Sequence, residues 1–335
     1  MLDPAAQTSP PSPPSLKGEG ARGAPGSLSP HGDGGSGRVG SATGGRARAV
    51  ALWAACGLVG CGVAPPRSQF PTADAALGRM KASYACVNGV QGAAKIDVFA
   101  AQGRVRGDLY LFAVNPDRVR FEVVSPFGLS LYTLTSDGRR FALADAKDKQ
   151  FLHGPAKACN LARLTRVPVP GHALVSLLRG EAPVLMHEAA DASIAWDRGG
   201  FYRVLVRGKH DALQEVRLEV RPDDWDRPFA EQRLRVVNVA IEQRGVSLYD
   251  AALAHHEVAH TAPPRVDEDG VDPAVPPSGG PCDAELPRSI RVRVPNTDQD
   301  VLIQYKDAKW NPPIVPGTFT QPVPGGVRQD YVDCD

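Results

Sequence analysis

The chain has 335 residues, with 38 Lys and Arg against 37 Asp and Glu, a formal net charge of +1. With that balance no strong overall field points to nucleic acid or to an acidic partner. Hydrophobic content of 42% is enough for a packed core, while the 34 Gly and 31 Pro crowd the two ends and leave about 72–259 as the folded body.

Residues 1–45 are rich in Pro, Gly and Ser and nearly free of large apolar groups. Such a stretch cannot offset its ordering entropy, so it reads as a disordered prefix or a misassigned start, with Val39 as an alternative initiator. Arg46-Ala47-Arg48 then precedes the uncharged apolar run 49–60. Twelve residues make about 18 Å of helix, too short for a hydrocarbon core of roughly 30 Å. A cationic start and a short apolar run describe a signal peptide, here 46–60. It ends Leu58-Val59-Gly60-Cys61, which is similar to the lipobox of bacterial lipoproteins. The likeness implies cleavage before Cys61, acylation of its thiol as a lipid anchor, and outer-membrane sorting, because Gly62 rather than Asp follows. Residues 61–70 then read as a lipidated tether.

Four further cysteines, Cys86, Cys159, Cys282 and Cys334, are an even set in an oxidising compartment, so two disulfides are expected. Three pairings are open. Cys86 with Cys159 and Cys282 with Cys334 is favoured, since the last two lie in irregular segments that need stapling.

Thr72–Ser83 reads as a helix with Thr72 as its N-cap. Strands are expected at 93–99, 104–114, 119–124, 129–135 and 139–143, separated by turn residues. In the third, Val119, Phe121 and Val123 alternate with charged neighbours. Short helices at 156–164 and 171–178 flank an extended Val167-Pro168-Val169-Pro170. Strands resume at 194–196, 201–206, 213–220, 234–239 and 246–249. A Pro-rich acidic loop over 261–287, a hairpin at 289–294 and 301–306, and an irregular tail over 311–335 complete the chain. The fold class is α+β, mainly antiparallel β: a curved half-barrel of about ten strands with a helical lid over an apolar interior.

An ordered set of segments resembles the LolA/LolB superfamily of periplasmic lipoprotein carriers, closest to its outer-membrane receptor branch, LolB. It comprises Arg120 through Gly128 with its Ser-Pro-Phe-Gly loop, Val167-Pro168-Val169-Pro170 followed by Leu174, Leu177, Leu178, Arg179 and Gly180, and Leu286-Pro287-Arg288-Ser289-Ile290 leading to Tyr305 through Trp310. The likeness spans about two-thirds of the chain after Cys61; the longer loop before Pro287 and the paired cysteines depart from it. It implies a monomeric, non-enzymatic, cofactor-free protein at the outer membrane. Such a protein would receive acyl chains or lipoproteins from a LolA-like carrier. Phe112, Phe121, Leu131, Leu174 and Leu177 are the expected cavity lining. Phe127 takes the position of the family's membrane-touching loop residue, or else packs back on the barrel rim. An envelope-assembly lipoprotein with a protein partner is the alternative.

Three other patterns carry chemistry. His256-Glu257-Val258-Ala259-His260 matches the zincin motif, which needs a helix so that both rings face one metal while Glu257 activates water; Glu268 or Glu285 would be third ligand. Asp223, Asp224 and Asp226 read as a solvated turn, with calcium as the sharper alternative. Arg104, Arg106, Arg118 and Arg120 read as a wet sheet face.

Overall fold

Helix α1 (Ala73–Ser83) starts where the Thr72 hydroxyl accepts a hydrogen bond from the Ala75 amide at 3.1 Å. Asp74 in its first turn and Lys81 in its last complement the helix dipole. Ala73, Ala76, Leu77 and Met80 form its buried stripe. This is a computed structural model describing residues 62–100, 103–267, 269–271 and 273–334. The prefix, the signal peptide, Cys61 and Glu268 lie outside the described residues.

A meander follows: β1 (Gly89–Ala100), β2 (Gly103–Val114), β3 (Arg118–Val124), β4 (Ser130–Ser136), β5 (Arg140–Asp145) and β6 (Gln150–Pro155). Helices α2 (Ala158–Thr165) and α3 (Gly171–Leu178) interrupt the sheet. A second meander comprises β7 (Ala192–Asp197), β8 (Phe201–Arg207), β9 (Ala212–Val220), β10 (Leu234–Gln243) and β11 (Val246–Val258). The short β12 (His260–Thr261), then β13 (Glu285–Val294), β14 (Gln299–Trp310) and β15 (Arg328–Tyr331), end the chain.

All belong to one 15-stranded sheet, ordered β15-β6-β5-β4-β3-β2-β1-β14-β13-β11-β10-β9-β8-β7, with β12 paired to β14. The hairpin β13–β14 is therefore the keystone: it sits between the two meanders, β14 against β1 and β13 against β11. The sheet is curved and unclosed, and the helices cover its concave face. The inner face alternates as a pleat demands. Ile290, Ile303 and Ile96 form one cross-strand row, and Val292, Val301 and Val98 the next.

The strand number exceeds the ten expected, for local reasons. β6 was not foreseen because Phe151 and Leu152 are adjacent apolar residues before Gly154-Pro155, with no alternation to read. The segment 250–258, Ala-rich with two adjacent His, lacks β-branched residues until Val258, yet β11 continues through it because β13 supplies its hydrogen bonds. The tail is not wholly irregular either: β15 pairs in parallel with β6.

The disulfides correct the favoured pairing. Cys86 bonds to Cys282, and Cys159 to Cys334. Proximity along the chain was the wrong guide, because the sheet sets the neighbours. Asn311, at the end of β14, is buried, and its side-chain amide donates to the Cys86 and Gly280 carbonyls at 2.9 Å each. That one side chain gathers both cysteine-bearing segments. At the other edge, β15 carries Cys334 back to α2, where Lys157 pairs with Asp333 at 2.7 Å and the Asn160 amide donates to the Val332 carbonyl.

Candidate functional site

The concave face and the two-helix lid enclose a small apolar cavity. Ile96, Leu109, Phe121, Val123, Ile290, Val292, Val301 and Ile303 form the sheet wall; Leu164, Thr165, Val167, Leu174, Leu177 and Leu178 form the lid wall. Thr165 brings the lining's one side-chain polar group, and its hydroxyl donates to the Leu161 carbonyl at 3.1 Å, so it makes no demand on an occupant. The cavity is about 40 Å³, room for roughly three water-sized groups. Ile96, Val123 and Leu164 also line a wider cleft of about 340 Å³, so the two spaces share a wall. The cleft adds Val98, Val105, Tyr132, Leu143 and Leu152, and is rimmed by Asp145, Asp148, Arg163 and Arg166.

The lid is shaped by its sequence. Arg166, with φ of 59°, ends α2, and the two prolines of 167–170 keep the link extended. Beyond α3, Gly180 has φ of +81°, and a Cβ there would lie 2.5 Å from the Pro287 ring, so only glycine fits. The Tyr305 hydroxyl donates to the Leu178 carbonyl at 3.0 Å, tying the lid's end to β14. The Arg179 guanidinium bonds the Asn115 side chain and pairs with Glu181 at 3.3 Å. Burial pulls the Arg179 pKa down and pushes the Glu181 carboxyl up.

Of the five lining residues expected, Phe121, Leu174 and Leu177 stand in the cavity wall. Phe112 and Leu131 do not; they point to the outer face. On β2 it is Leu109, Leu111 and Ala113 that are buried, and on β4 Tyr132 and Leu134 pair with Val123 and Phe121 on the inside. A one-residue error of phase flips every side chain of a strand. β3 was readable because Arg120 and Glu122 mark its wet side; β2 was not, because Tyr110 and Phe112 are apolar on the outside. The same alternation finds Ile96, Ile290, Val292, Val301 and Ile303, none of which had been picked out.

Phe127 occupies the tip of the β3–β4 turn and is 89% exposed. It does not pack back on the rim. The turn is closed by the Gly128 amide donating to the Ser125 carbonyl at 3.0 Å, with Gly128 at φ +78°. Leu129 beside it is exposed, as are Phe99 and Val105 at the neighbouring β1–β2 end. Val105 also lines the cleft, which brings this exposed apolar edge next to the space that shares a wall with the cavity.

The zincin geometry is not formed. His256 and Glu257 lie in β11 and His260 in β12, so no helix turns the two rings to one side. The His256 ring is 3.1 Å from the Val236 carbonyl, and Glu257 accepts from Arg288 at 2.8 Å. Among the described residues no cluster of His, Cys, Asp and Glu could hold a metal. Asp224 is not a solvated turn residue but a buried hub. It accepts from the Arg233 amide and guanidinium at 2.7–2.9 Å, which brings its pKa down to about 2, while Asp223 and Asp226 stay exposed. Arg104 and Arg106 both pair with Asp97; Arg118 stacks over Phe319, and Arg120 donates to the Thr318 carbonyl, so the tail covers part of the outer face.

No family model and no curated protein sequence matches this chain. Solved structures with a similar chain course include a DUF1329 family protein from Desulfovibrio piger, at 9% identity and TM-score 0.45 over 74% of this chain and 95% of that one. A LolA superfamily protein from Nitrosomonas europaea aligns at 12% identity and TM-score 0.44, over 75% and 98%. A putative outer membrane lipoprotein-sorting protein domain from Vibrio parahaemolyticus aligns at 10% and 0.41, over 74% and 97%. The likeness is one of overall course at 12% identity or less, and it carries no functional assignment.

Proposed function

We propose that this protein is an envelope lipoprotein, anchored to the outer membrane through Cys61, that takes acyl chains of lipids or lipoproteins between its concave sheet and its α2–α3 lid, receiving them from a periplasmic carrier. The observation that carries the reading is the apolar cavity whose one polar wall group is already satisfied, sharing a wall with a cleft that carries charged residues. Burying an acyl chain releases about 0.8 kcal/mol per methylene, so an apolar wall suffices and no nucleophile or titrating group is needed. At about 40 Å³ the cavity is too small for an acyl chain as it stands, and the chain must lift the lid as it enters from the side of the cleft. Phe127, Leu129, Phe99 and Val105 form the apolar edge that meets the membrane or the cargo-bearing partner.

Titration with an environment-sensitive fluorescent fatty acid tests this: saturable uptake, displaced by unlabelled fatty acid, supports it. The narrowness of the cavity favours one second reading, an envelope-assembly module that uses the same apolar edge on a protein partner. Absence of uptake at any concentration selects that reading.

A further inference from the structure

The segment after Cys61 lies along the body of the protein. The Val63 amide donates to the Arg198 carbonyl at 2.9 Å, and the Val63 carbonyl accepts from the Trp196 indole at 2.9 Å. Five residues on, the Ser68 hydroxyl accepts from the Phe229 amide at 2.9 Å and its carbonyl from the Gln232 side chain at 3.0 Å. Pro66 is buried. Phe70 is buried too, its ring edge-on to Tyr202 and Phe229 at 5.3 and 5.4 Å. Gly62 approaches the turn between β7 and β8 so closely that a Cβ there would lie 2.9 Å from the Arg198 Cβ.

A free tether of nine residues could hold the body up to about 30 Å from its anchor. Pinned at Gly62, the chain leaves only one peptide, about 3.8 Å between Cα atoms, to Cys61. We propose that residues 62–70 are a strap rather than a tether, and that the strap holds the acylated Cys61 against the β7–β8 turn, so that Val63, Arg67 and Arg198 lie among phospholipid headgroups. This rests on the reading that Cys61 carries acyl chains. The surface there suits a bilayer. Val63 is 49% exposed and bonded to the backbone of Arg198; Arg198 and, four residues along the strap, Arg67 are both exposed with no ion-pair partner among the described residues. An apolar group beside unpaired cations is what an anionic headgroup layer attracts. Glycine after the cysteine is then a packing requirement as well as a sorting signal.

The test uses the full chain, made in a bacterial host that acylates lipoproteins and placed in phosphatidylethanolamine–phosphatidylglycerol vesicles. Hydrogen exchange at the Val63 amide and water accessibility of a nitroxide at Arg198→Cys are read with and without vesicles, with Lys95→Cys, exposed in the middle of β1 and away from both ends of the sheet, as the reference. The strap gives a Val63 amide protected more than tenfold over a free peptide even without vesicles, and Gly62→Val abolishes that protection. Bilayer contact lowers accessibility at position 198 severalfold on vesicles and leaves position 95 unchanged. A Val63 amide exchanging at the free-peptide rate overturns the strap. Unchanged accessibility at 198 on an acylated chain overturns the bilayer contact. An intact mass showing no acyl groups on Cys61 overturns the lipid reading and the contact with it, while Val63 protection still reports the strap by itself.

Discussion

The Arg235 guanidinium reaches across β11 to donate to both oxygens of the Glu285 carboxylate, one of them at 2.8 Å, with Arg221 at 3.3 Å completing the cluster. The pair ties the second meander to the keystone hairpin. His256 on β11 lies beside it, its ring bonded to the Val236 carbonyl. Burial, then the Arg235 charge, holds the His256 pKa down at about 4. Burial alone would raise the Glu285 pKa, but the Arg235 hydrogen bonds and charge and the Arg221 charge outweigh it and hold it below the ordinary carboxylate value.

Both groups make the fold acid-sensitive. The native ring of His256 resists protonation, so the unfolded chain binds that proton first and stability falls as pH drops from about 6.5 to about 4. Each pH unit is worth about 1.4 kcal/mol, giving a loss of up to about 3 kcal/mol. Glu285 contributes stability above its unfolded pKa and loses it as pH falls through its lowered native value. Urea midpoints measured from pH 7 to 4 are expected to fall, and His256→Gln to flatten the upper part of that slope. An unaltered slope in the variant contradicts the assignment.

Trp310 is fully buried at the end of β14 and its indole donates to the Ala284 carbonyl at 2.9 Å. Trp310→Phe keeps most of the packing and leaves that carbonyl unpaired, an expected cost of about 1–3 kcal/mol. Trp310→Ala is expected to cost about 3–5 kcal/mol. Equilibrium denaturation orders the two, and equal losses would show that the hydrogen bond alone matters.

Peptide mapping under non-reducing conditions is expected to recover Cys86 with Cys282 and Cys159 with Cys334. Replacing either pair by serine is expected to cost about 2–5 kcal/mol. The Cys159–Cys334 loss should release β15 from β6 first, visible as faster hydrogen exchange over 328–334 with the core unchanged.

Phe127→Asp is expected to change stability by less than about 0.5 kcal/mol, because the side chain touches little of the fold. Acyl-chain transfer, measured on the same sample, should fall severalfold. A large drop in melting temperature would mean that Phe127 packs on the rim after all.

The sequence was most readable where polar and apolar residues alternate or a cap announces itself. Thr72 marks the start of α1, and Val119, Phe121 and Val123 show their inward side against Arg118, Arg120 and Glu122. Readability failed where both faces of a strand are apolar, as on β2, or where partners rather than local preference create the strand, as at His256 in β11. Disulfide pairing and the keystone position of β13–β14 depend on which strands become neighbours, and spacing along the chain does not encode that.

The central claim is that the space beneath the lid takes acyl chains. Organic extraction of the purified protein followed by mass spectrometry tests it most directly, comparing wild type with Leu174→Phe, which fills the cavity wall from the lid side. The expected result is acyl lipid recovered near one per chain from the wild type, beyond any lipid covalently attached at the N-terminus, and several times less from the variant at similar stability. Equal recovery from both, or none from a wild type offered excess fatty acid, would contradict it.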